Sequence, residues 1–209
     1  MIQWTIIGGS ILATVAMAPY IFGMTLKEFF NSRESKVLIG VIVIGTGLLL
    51  NKTDMAWIKY PWLCWLMGLS MMDLKTHEVR LIDLIILLVL STVGIPIGSI
   101  GVVAIMVGLF VITLLGLKYA LHKWYQQNAF GGADIMAIVS VLLCLGGTSA
   151  IIALYISVFC SAIVGVVMLV FFNANRKTPI PFLPFLMVGS VVSLMYSTHI
   201  YDWYMALIG

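Results

Sequence analysis

Two aspartates, Asp73 and Asp134, are the residues of this chain whose positions best suit chemistry. Asp73 directly follows the apolar run WLCWLMGLSMM, and Asp134 directly precedes the run IMAIVSVLLCLG. A carboxylate at the edge of an apolar segment is unfavourable unless it is paired, solvated in a cavity or functional. Two such carboxyls that lie close together share a proton, because neighbouring like charges do not both ionise. One member of the pair can then accept a proton from water while the other protonates a carbonyl oxygen.

The residues before Asp134 bear on whether such a dyad exists. From composition and topology alone, two unrelated aspartates at helix ends are the default interpretation. In the segment FGGADIM, Gly131 and Gly132 allow tight turning and close approach of another backbone. A peptide must lie extended beside catalytic carboxylates to be cut, and a glycine-rich segment gives it room. The competing interpretation of the same residues is a plain turn into a helix.

Most other polar residues have simpler interpretations. Asp83 begins an apolar segment, where a carboxylate suits the positive end of a helix dipole. Asp202 is expected at the interface near the end of the last helix. His77 lies four residues after Asp73 and faces it if the helix continues, although a solvated loop histidine is the favoured interpretation. No His or Cys stands at metal-ligand spacing, so we expect no metal and no cofactor.

The elements that carry these residues follow from composition. Of the 209 residues, 62% are hydrophobic and 9% are charged, whereas a soluble domain carries about 25% charged residues. This excludes a soluble enzyme, a disordered chain and a nucleic-acid binder. The composition predicts an all-α, polytopic integral membrane protein, since a helical backbone satisfies its own polar groups in lipid. We expect residues 1–209 to form one membrane-embedded domain with no soluble domain.

The apolar runs predict about eight transmembrane helices, at 2–23, 37–50, 55–72, 81–97, 102–118, 135–146, 150–172 and 183–205. Nine of the 11 Lys and Arg residues then fall in the odd-numbered loops. The positive-inside rule places those loops, and with them both aspartates, on the cytoplasmic side of the cell membrane.

Three motifs in this order resemble the type IV prepilin peptidases and archaeal preflagellin peptidases, which are GxGD-type intramembrane aspartyl proteases. The first is MDLKTHEV around Asp73, and the second is FGGADIM around Asp134, 61 residues later. The third is TPIPFLPFLMVGS, which resembles the proline–phenylalanine segment that leads into the family's last helix. Together the motifs cover the region from Asp73 to Gly189.

The resemblance implies an aspartic endopeptidase that cuts the short basic leader from pilin-like or archaellin-like precursors at the cytoplasmic membrane face. Asp73 and Asp134 would be catalytic. The substrate-binding residues would be the glycine-rich turn and the proline–phenylalanine segment, that is Gly131, Gly132, Ala133, Pro181, Phe182 and Pro184. The expected partners are these precursors and membrane lipid, with no nucleic acid. Which precursor is cut, and the oligomeric state, do not follow from the residues.

The chain departs from the family pattern at several positions. Ala133 stands at the second glycine of Gly-x-Gly-Asp, and Met136 replaces a common lysine. Arg80 and Leu81 stand where a Pro-Asn pair is common. The two C-x-x-C pairs that accompany N-methylation in many bacterial members are missing from the sequence, so we expect cleavage without N-methyltransferase activity.

Two other functions remain open at this level. A proton- or cation-coupled transporter would use the same aspartates to bind protons or cations. A non-catalytic subunit of a membrane assembly would not need them.

Overall fold

The computed structural model describes residues 56–93, 95, 100–125, 131–171 and 180–209. Within these residues the chain forms six α-helices: α1 (Ala56–Thr76), α2 (Leu81–Ser91), α3 (Ile100–Tyr125), α4 (Gly132–Leu145), α5 (Gly147–Phe171) and α6 (Leu183–Ile208). The prediction of an all-α chain is confirmed for the part described. The predicted helices 2–23 and 37–50 lie outside it.

The six helices correspond one to one to the last six predicted segments, with different ends. The prediction that the second of them reaches residue 97 is wrong, because α2 ends at Ser91 and Thr92 and Val93 form a turn. Pro96 follows closely, and a proline cannot continue a helix without losing a backbone hydrogen bond. α4 begins three residues earlier than predicted, at Gly132, so Asp134 lies inside its first turn.

The side chains of α1 from Trp62 to Leu69 form much of the buried core. Two tryptophans of α1 donate hydrogen bonds to neighbouring helices. Trp65 Nε1 donates to the backbone oxygen of Asp83 on α2 at 2.9 Å. Trp62 Nε1 donates to Ser140 Oγ on α4 at 3.4 Å. These contacts join α1 to the beginning of α2 and to the middle of α4.

Among the described helices, α5 and α6 have the most extensive contact, and small residues line their interface. A Cβ atom on Gly189 would overlap the carbonyl oxygen of Ala153 and the hydroxyl of Ser157. Further along, Ser193 Oγ donates to the backbone oxygen of Ser149 at 2.6 Å. Small and hydroxylated residues of this kind let helix backbones approach each other in membrane bundles.

By length and composition, α5 and α6 are suited to cross a membrane. They contain 25 and 26 residues, and each has an apolar stretch long enough for the hydrocarbon core of a bilayer. They are the two such helices among the residues that the structure describes.

Candidate functional site

Asp73 lies in the last turn of α1 and is bonded to the beginning of α6. Its side chain is 8% exposed, and its Oδ2 accepts a hydrogen bond of 3.1 Å from the backbone N–H of Leu183. The N–H of Phe182 lies close enough to help stabilise the same carboxylate. The candidate catalytic residue of the first motif is therefore bonded to the backbone of the third motif.

The sequence of the third motif explains this bond. The first N–H groups of a helix have no partner within the helix, and Pro181 and Pro184 have no N–H at all. The N–H groups of Phe185 and Leu186 bond back to the Phe182 oxygen, both at 3.1 Å. The N–H of Leu183 therefore needs a partner from elsewhere, and Asp73 provides it. A carboxylate at a helix N-terminus is also favoured by the helix dipole.

Ser70 strengthens the same junction. Its side chain is buried, and Ser70 Oγ lies 3.0 Å from the backbone oxygen of Leu183 and 2.7 Å from that of Leu66. Ser70 is one turn before Asp73 on α1, so the two side chains contact the oxygen and the N–H of one residue. We call Ser70, Asp73, Phe182 and Leu183 the α1–α6 clamp.

Asp134 is the third residue of α4 and is half-buried. Its Oδ2 accepts a hydrogen bond of 3.0 Å from the backbone N–H of Gly131, the residue that caps the helix. A Cβ on Gly131 would lie 3.3 Å from this oxygen, whereas a Cβ on Gly132 would meet nothing within 4 Å. The close fit at Gly131 gives the first glycine of the motif a specific role beside the carboxylate.

The structure places the two carboxyls within electrostatic range of each other. Both carboxyls lie just outside the apolar runs, since Asp73 follows the run 55–72 and Asp134 precedes the run 135–146. Burial raises the pKa of Asp134, the hydrogen bond from Gly131 lowers it, and the negative charge of Asp73 raises it further. Burial also raises the pKa of Asp73, while the Leu183 N–H, the charge of His77 and the Phe182 N–H lower it. A carboxyl whose pKa is raised by the charge of a second carboxyl suits the sharing of one proton between the two.

His77 lies beside Asp73, although not in the way that continuation of the helix would give. α1 ends at Thr76, and His77 takes a left-handed backbone conformation with φ of 54°. Its N–H bonds to the backbone oxygen of Asp73 at 3.0 Å and so terminates the helix. The prediction of an exposed loop histidine is confirmed, and its charge still reaches the Asp73 carboxylate.

The predicted substrate-binding residues lie around the two aspartates. Gly131 and Gly132 are exposed at the start of α4, and Ala133 is half-buried and packs against the core. Pro181, Phe182 and Pro184 are half-buried at the start of α6. The Ala133 methyl group thus fills a place at the edge of the core, which accounts for a residue with a Cβ at this position of the motif.

Asp83 is the polar residue that sequence reasoning underestimated. It lies in the first turn of α2, as the helix-dipole argument expects, yet it is 1% exposed. Within the described part of the chain, its Oδ2 has no hydrogen-bond partner. Leu87 and Ser91, four and eight residues further on, are also buried, so a helical projection of α2 would have placed Asp83 on the inner face.

Among the described residues, no group of three or more His, Cys, Asp or Glu side chains is placed to hold a metal ion. Of the cysteines, Cys64 and Cys144 are buried and Cys160 is half-buried.

Comparison with protein-family models, with curated proteins and with solved structures gives no match to this chain. The function is therefore inferred from the geometry around Asp73 and Asp134.

Proposed function

We propose that this protein is an integral-membrane aspartyl endopeptidase of the prepilin-peptidase type, with Asp73 and Asp134 as its catalytic dyad. The observation that carries the proposal is that these two carboxyls lie within electrostatic range of each other. They come from the end of α1 and the beginning of α4, and the charge of Asp73 raises the pKa of Asp134. Such a pair supplies a base and an acid to one reacting centre.

A membrane location is supported by the side chains that the helices expose. α3 and α5 expose long apolar side chains over several turns, among them Ile105, Leu109, Ile112, Tyr155 and Phe159. Exposed apolar surface of this extent suits lipid and is unfavourable in water. We propose about eight spans in the cell membrane, with the dyad at the cytoplasmic face because the positive-inside rule places its loops there.

The proposed reaction is hydrolysis of one peptide bond without a covalent enzyme intermediate. One carboxylate removes a proton from water, and the resulting hydroxide bonds to the scissile carbonyl carbon. The other carboxyl gives its proton to the carbonyl oxygen, which forms a tetrahedral diol. The C–N bond then breaks, the leaving amine takes a proton, and the second product is a carboxylic acid.

The proposed substrates are pilin-like precursors with a short basic leader and an apolar N-terminal helix. That helix would lie in the bilayer and bring the leader junction to the level of the dyad. The exposed backbone at Gly131 and Gly132 would accept the extended substrate chain. The half-buried Pro181 and Phe182 would border the site on its α6 side.

The test is co-expression of the protein with a pilin-like precursor whose leader ends in glycine. Asp73→Asn and Asp134→Asn should each reduce leader removal by about 10²-fold or more, since general acid–base groups contribute at least that much. Asp202→Asn is the matched control, because Asp202 is exposed near the other end of α6. Normal processing by either dyad variant would contradict the proposal.

A proton- or cation-coupled transporter is the second candidate, and Asp83 is the observation in its favour. A buried carboxyl within an apolar helix is a common feature of ion and proton pathways. This function predicts substrate flux into liposomes that Asp83→Asn abolishes, with no cleavage of precursors. Leader removal by purified protein, unaffected by Asp83→Asn, would decide for the peptidase.

A further inference from the structure

We propose that the α1–α6 clamp assigns the roles within the dyad: Asp73 is the carboxylate that accepts the proton from water, and Asp134 is the acid that holds the shared proton. This inference rests on the proposed function for its catalytic meaning. The arrangement of donors and charges around the two residues does not depend on it.

The two carboxyls differ in the backbone N–H groups that donate hydrogen bonds to them. Asp73 faces the N–H of Leu183, a residue that is 1% exposed, and the neighbouring N–H of Phe182. Asp134 accepts one N–H, from Gly131, which is exposed. A hydrogen bond to an ionised group is stronger where water is excluded. The buried Leu183 N–H and the half-buried Phe182 N–H therefore stabilise a negative charge on Asp73 more than the exposed donor stabilises one on Asp134.

The charges around the two carboxyls come from helix dipoles and from side chains. Asp134 lies at the N-terminus of α4, whose dipole favours its ionisation, whereas Asp73 lies between the N-terminus of α6 and the C-terminus of α1, whose dipoles act on it in opposite directions. The nearby side-chain charges differ. His77 brings positive charge toward Asp73, whereas Asp134 faces the negative charge of Asp73.

Among the residues that the structure describes, the other ionisable groups near this end of the bundle do not reverse the difference. The first turn of α6, LPFL, has no ionisable side chain. Lys75 and Arg80 add positive charge and Glu78 adds negative charge, and all three side chains are exposed. Arg80 lies within electrostatic range of Asp83. The negative charge of the dyad thus stays on Asp73, and the proton on Asp134.

The α1–α6 clamp is held in place by two side chains of α1. Asp73 alone could rotate away from the α6 backbone, but Ser70 contacts the Leu183 oxygen from the preceding turn of α1. Two contacts from one helix to a single residue fix the position and the orientation of its N–H. We assign Ser70 as a positioning residue, which acts on the reaction through Leu183 and Asp73.

These roles define the proton path. Asp73 takes one proton from water as the new C–O bond forms, and Asp134 gives its proton to the carbonyl oxygen. When the C–N bond breaks, the proton on Asp73 goes to the leaving amine. The diol returns a proton to Asp134 as its carbonyl reforms, so both residues end as they began.

The test is a carbon-13 NMR titration of the aspartate carboxyls in the full-length protein in detergent micelles. The chain has five aspartates, and Asn variants of Asp73, Asp83 and Asp134 assign the relevant signals. In the unmodified protein, the Asp134 signal should keep its protonated form to a higher pH than the Asp73 signal. The opposite order, or identical titration of both, would overturn the proposal.

Two substitutions at one position test the donor itself. Leu183→Pro removes the N–H at the first helical residue, where proline is well accepted, and Leu183→Ala removes a similar amount of buried side chain but keeps the N–H. The titration midpoint of Asp73 should rise in the proline variant and stay in place in the alanine variant. An equal shift in both variants would mean that packing, not the donor, sets the ionisation of Asp73.

Ser70→Ala tests the positioning role and replaces the proline variant if that variant does not fold. It should raise the titration midpoint of Asp73, and Ser70→Thr should restore it. If Ser70→Ala lowers the melting temperature and leaves the titration unchanged, Ser70 has only a structural role and the assignment is wrong. Because none of these titrations needs a substrate, an absence of cleavage would count against the proposed function and not against the proton assignment.

Discussion

The Asp73 carboxylate accepts a hydrogen bond of 3.1 Å from the backbone N–H of Leu183, 110 residues further along the chain. This bond joins the first and third motifs, while the charge of Asp73 joins the first motif to Asp134 in the second. The three motifs therefore meet at one end of the bundle. Asp73 has a structural role, because it bonds to the beginning of α6, and a proposed chemical role, because its charge acts on Asp134.

The pKa of Asp134 predicts how one substitution changes stability with pH. Burial and the Asp73 charge raise this pKa above its ordinary value of 3.8. At a pH between 3.8 and the folded-state pKa, the folded protein therefore holds a proton that the unfolded chain has released. Stability then falls as pH rises from 3.8 through the folded-state pKa and stays lower above it. Asp134→Asn cannot ionise, and its amide oxygen still accepts the Gly131 N–H. It should therefore melt at a higher temperature than the unmodified protein at neutral pH.

The unmodified protein and Asp134→Asn should melt at similar temperatures below pH 3.8, where Asp134 is protonated in both the folded and the unfolded state. Thermal unfolding in micelles at acidic and neutral pH measures the difference. Asp202→Asn, at an exposed position, controls for loss of one negative charge. A lower melting temperature for Asp134→Asn at neutral pH would show that the ionised carboxylate stabilises the fold.

The two glycines before Asp134 give a matched pair of substitutions. Gly131→Ala puts a methyl group 3.3 Å from the Asp134 oxygen, whereas Gly132→Ala extends into open space. Because a small displacement of a catalytic group has a large effect on rate, Gly131→Ala should lower kcat/KM for leader removal by roughly tenfold. Gly132→Ala should change it less than about twofold by the same argument. Quantitative processing assays with both variants measure the ratio.

A larger loss in Gly132→Ala would instead mean that access of the substrate backbone limits the reaction. The two glycines would then contribute mainly space, as the sequence motif alone suggested. Both residues have backbone conformations open to alanine, since neither is among the glycines with positive φ.

The fold was predictable where physical constraints act along a single segment. Long apolar runs fix the existence of α5 and α6, because a helix is the way for such a run to satisfy its backbone. Helix ends were less predictable, because they depend on short-range polar contacts. α4 begins at Gly132 because Asp134 bonds back to Gly131, a contact that a search for apolar runs does not detect.

The site was predictable in its residues and not in its contacts. Scarcity of charge in an apolar chain singles out Asp73 and Asp134, since each must have a reason to lie at an apolar edge. The pairing of Asp73 with Leu183 depends on how α1 and α6 pack, which no local pattern encodes. Burial of Asp83 depends in the same way on which face of α2 meets the core.

The interface between α5 and α6 predicts a large effect from one methyl group. Gly189→Ala would place its Cβ against the Ala153 carbonyl oxygen and the Ser157 hydroxyl. Since both belong to the facing helix, the two backbones must separate, and overpacking of this kind costs about 1–3 kcal/mol. Gly108→Ala on α3 is the control, because its Cβ meets nothing within 4 Å, and it should be neutral or stabilising by up to about 1 kcal/mol. Equal unfolding free energies for the two variants would contradict this close packing.

His77 predicts a change in the pH dependence of the reaction. His77→Asn keeps a residue that tolerates the left-handed backbone conformation with φ of 54°, so the end of α1 should be preserved. It removes the positive charge that lowers the pKa of Asp73. A rise in this pKa means that Asp73 ionises at higher pH, and the acid limb of kcat/KM for leader removal should move to higher pH. His77→Lys should keep the limb near its original position, since it retains a positive charge. If His77→Asn lowers kcat/KM equally at every pH, His77 contacts the substrate and does not act through the charge of Asp73.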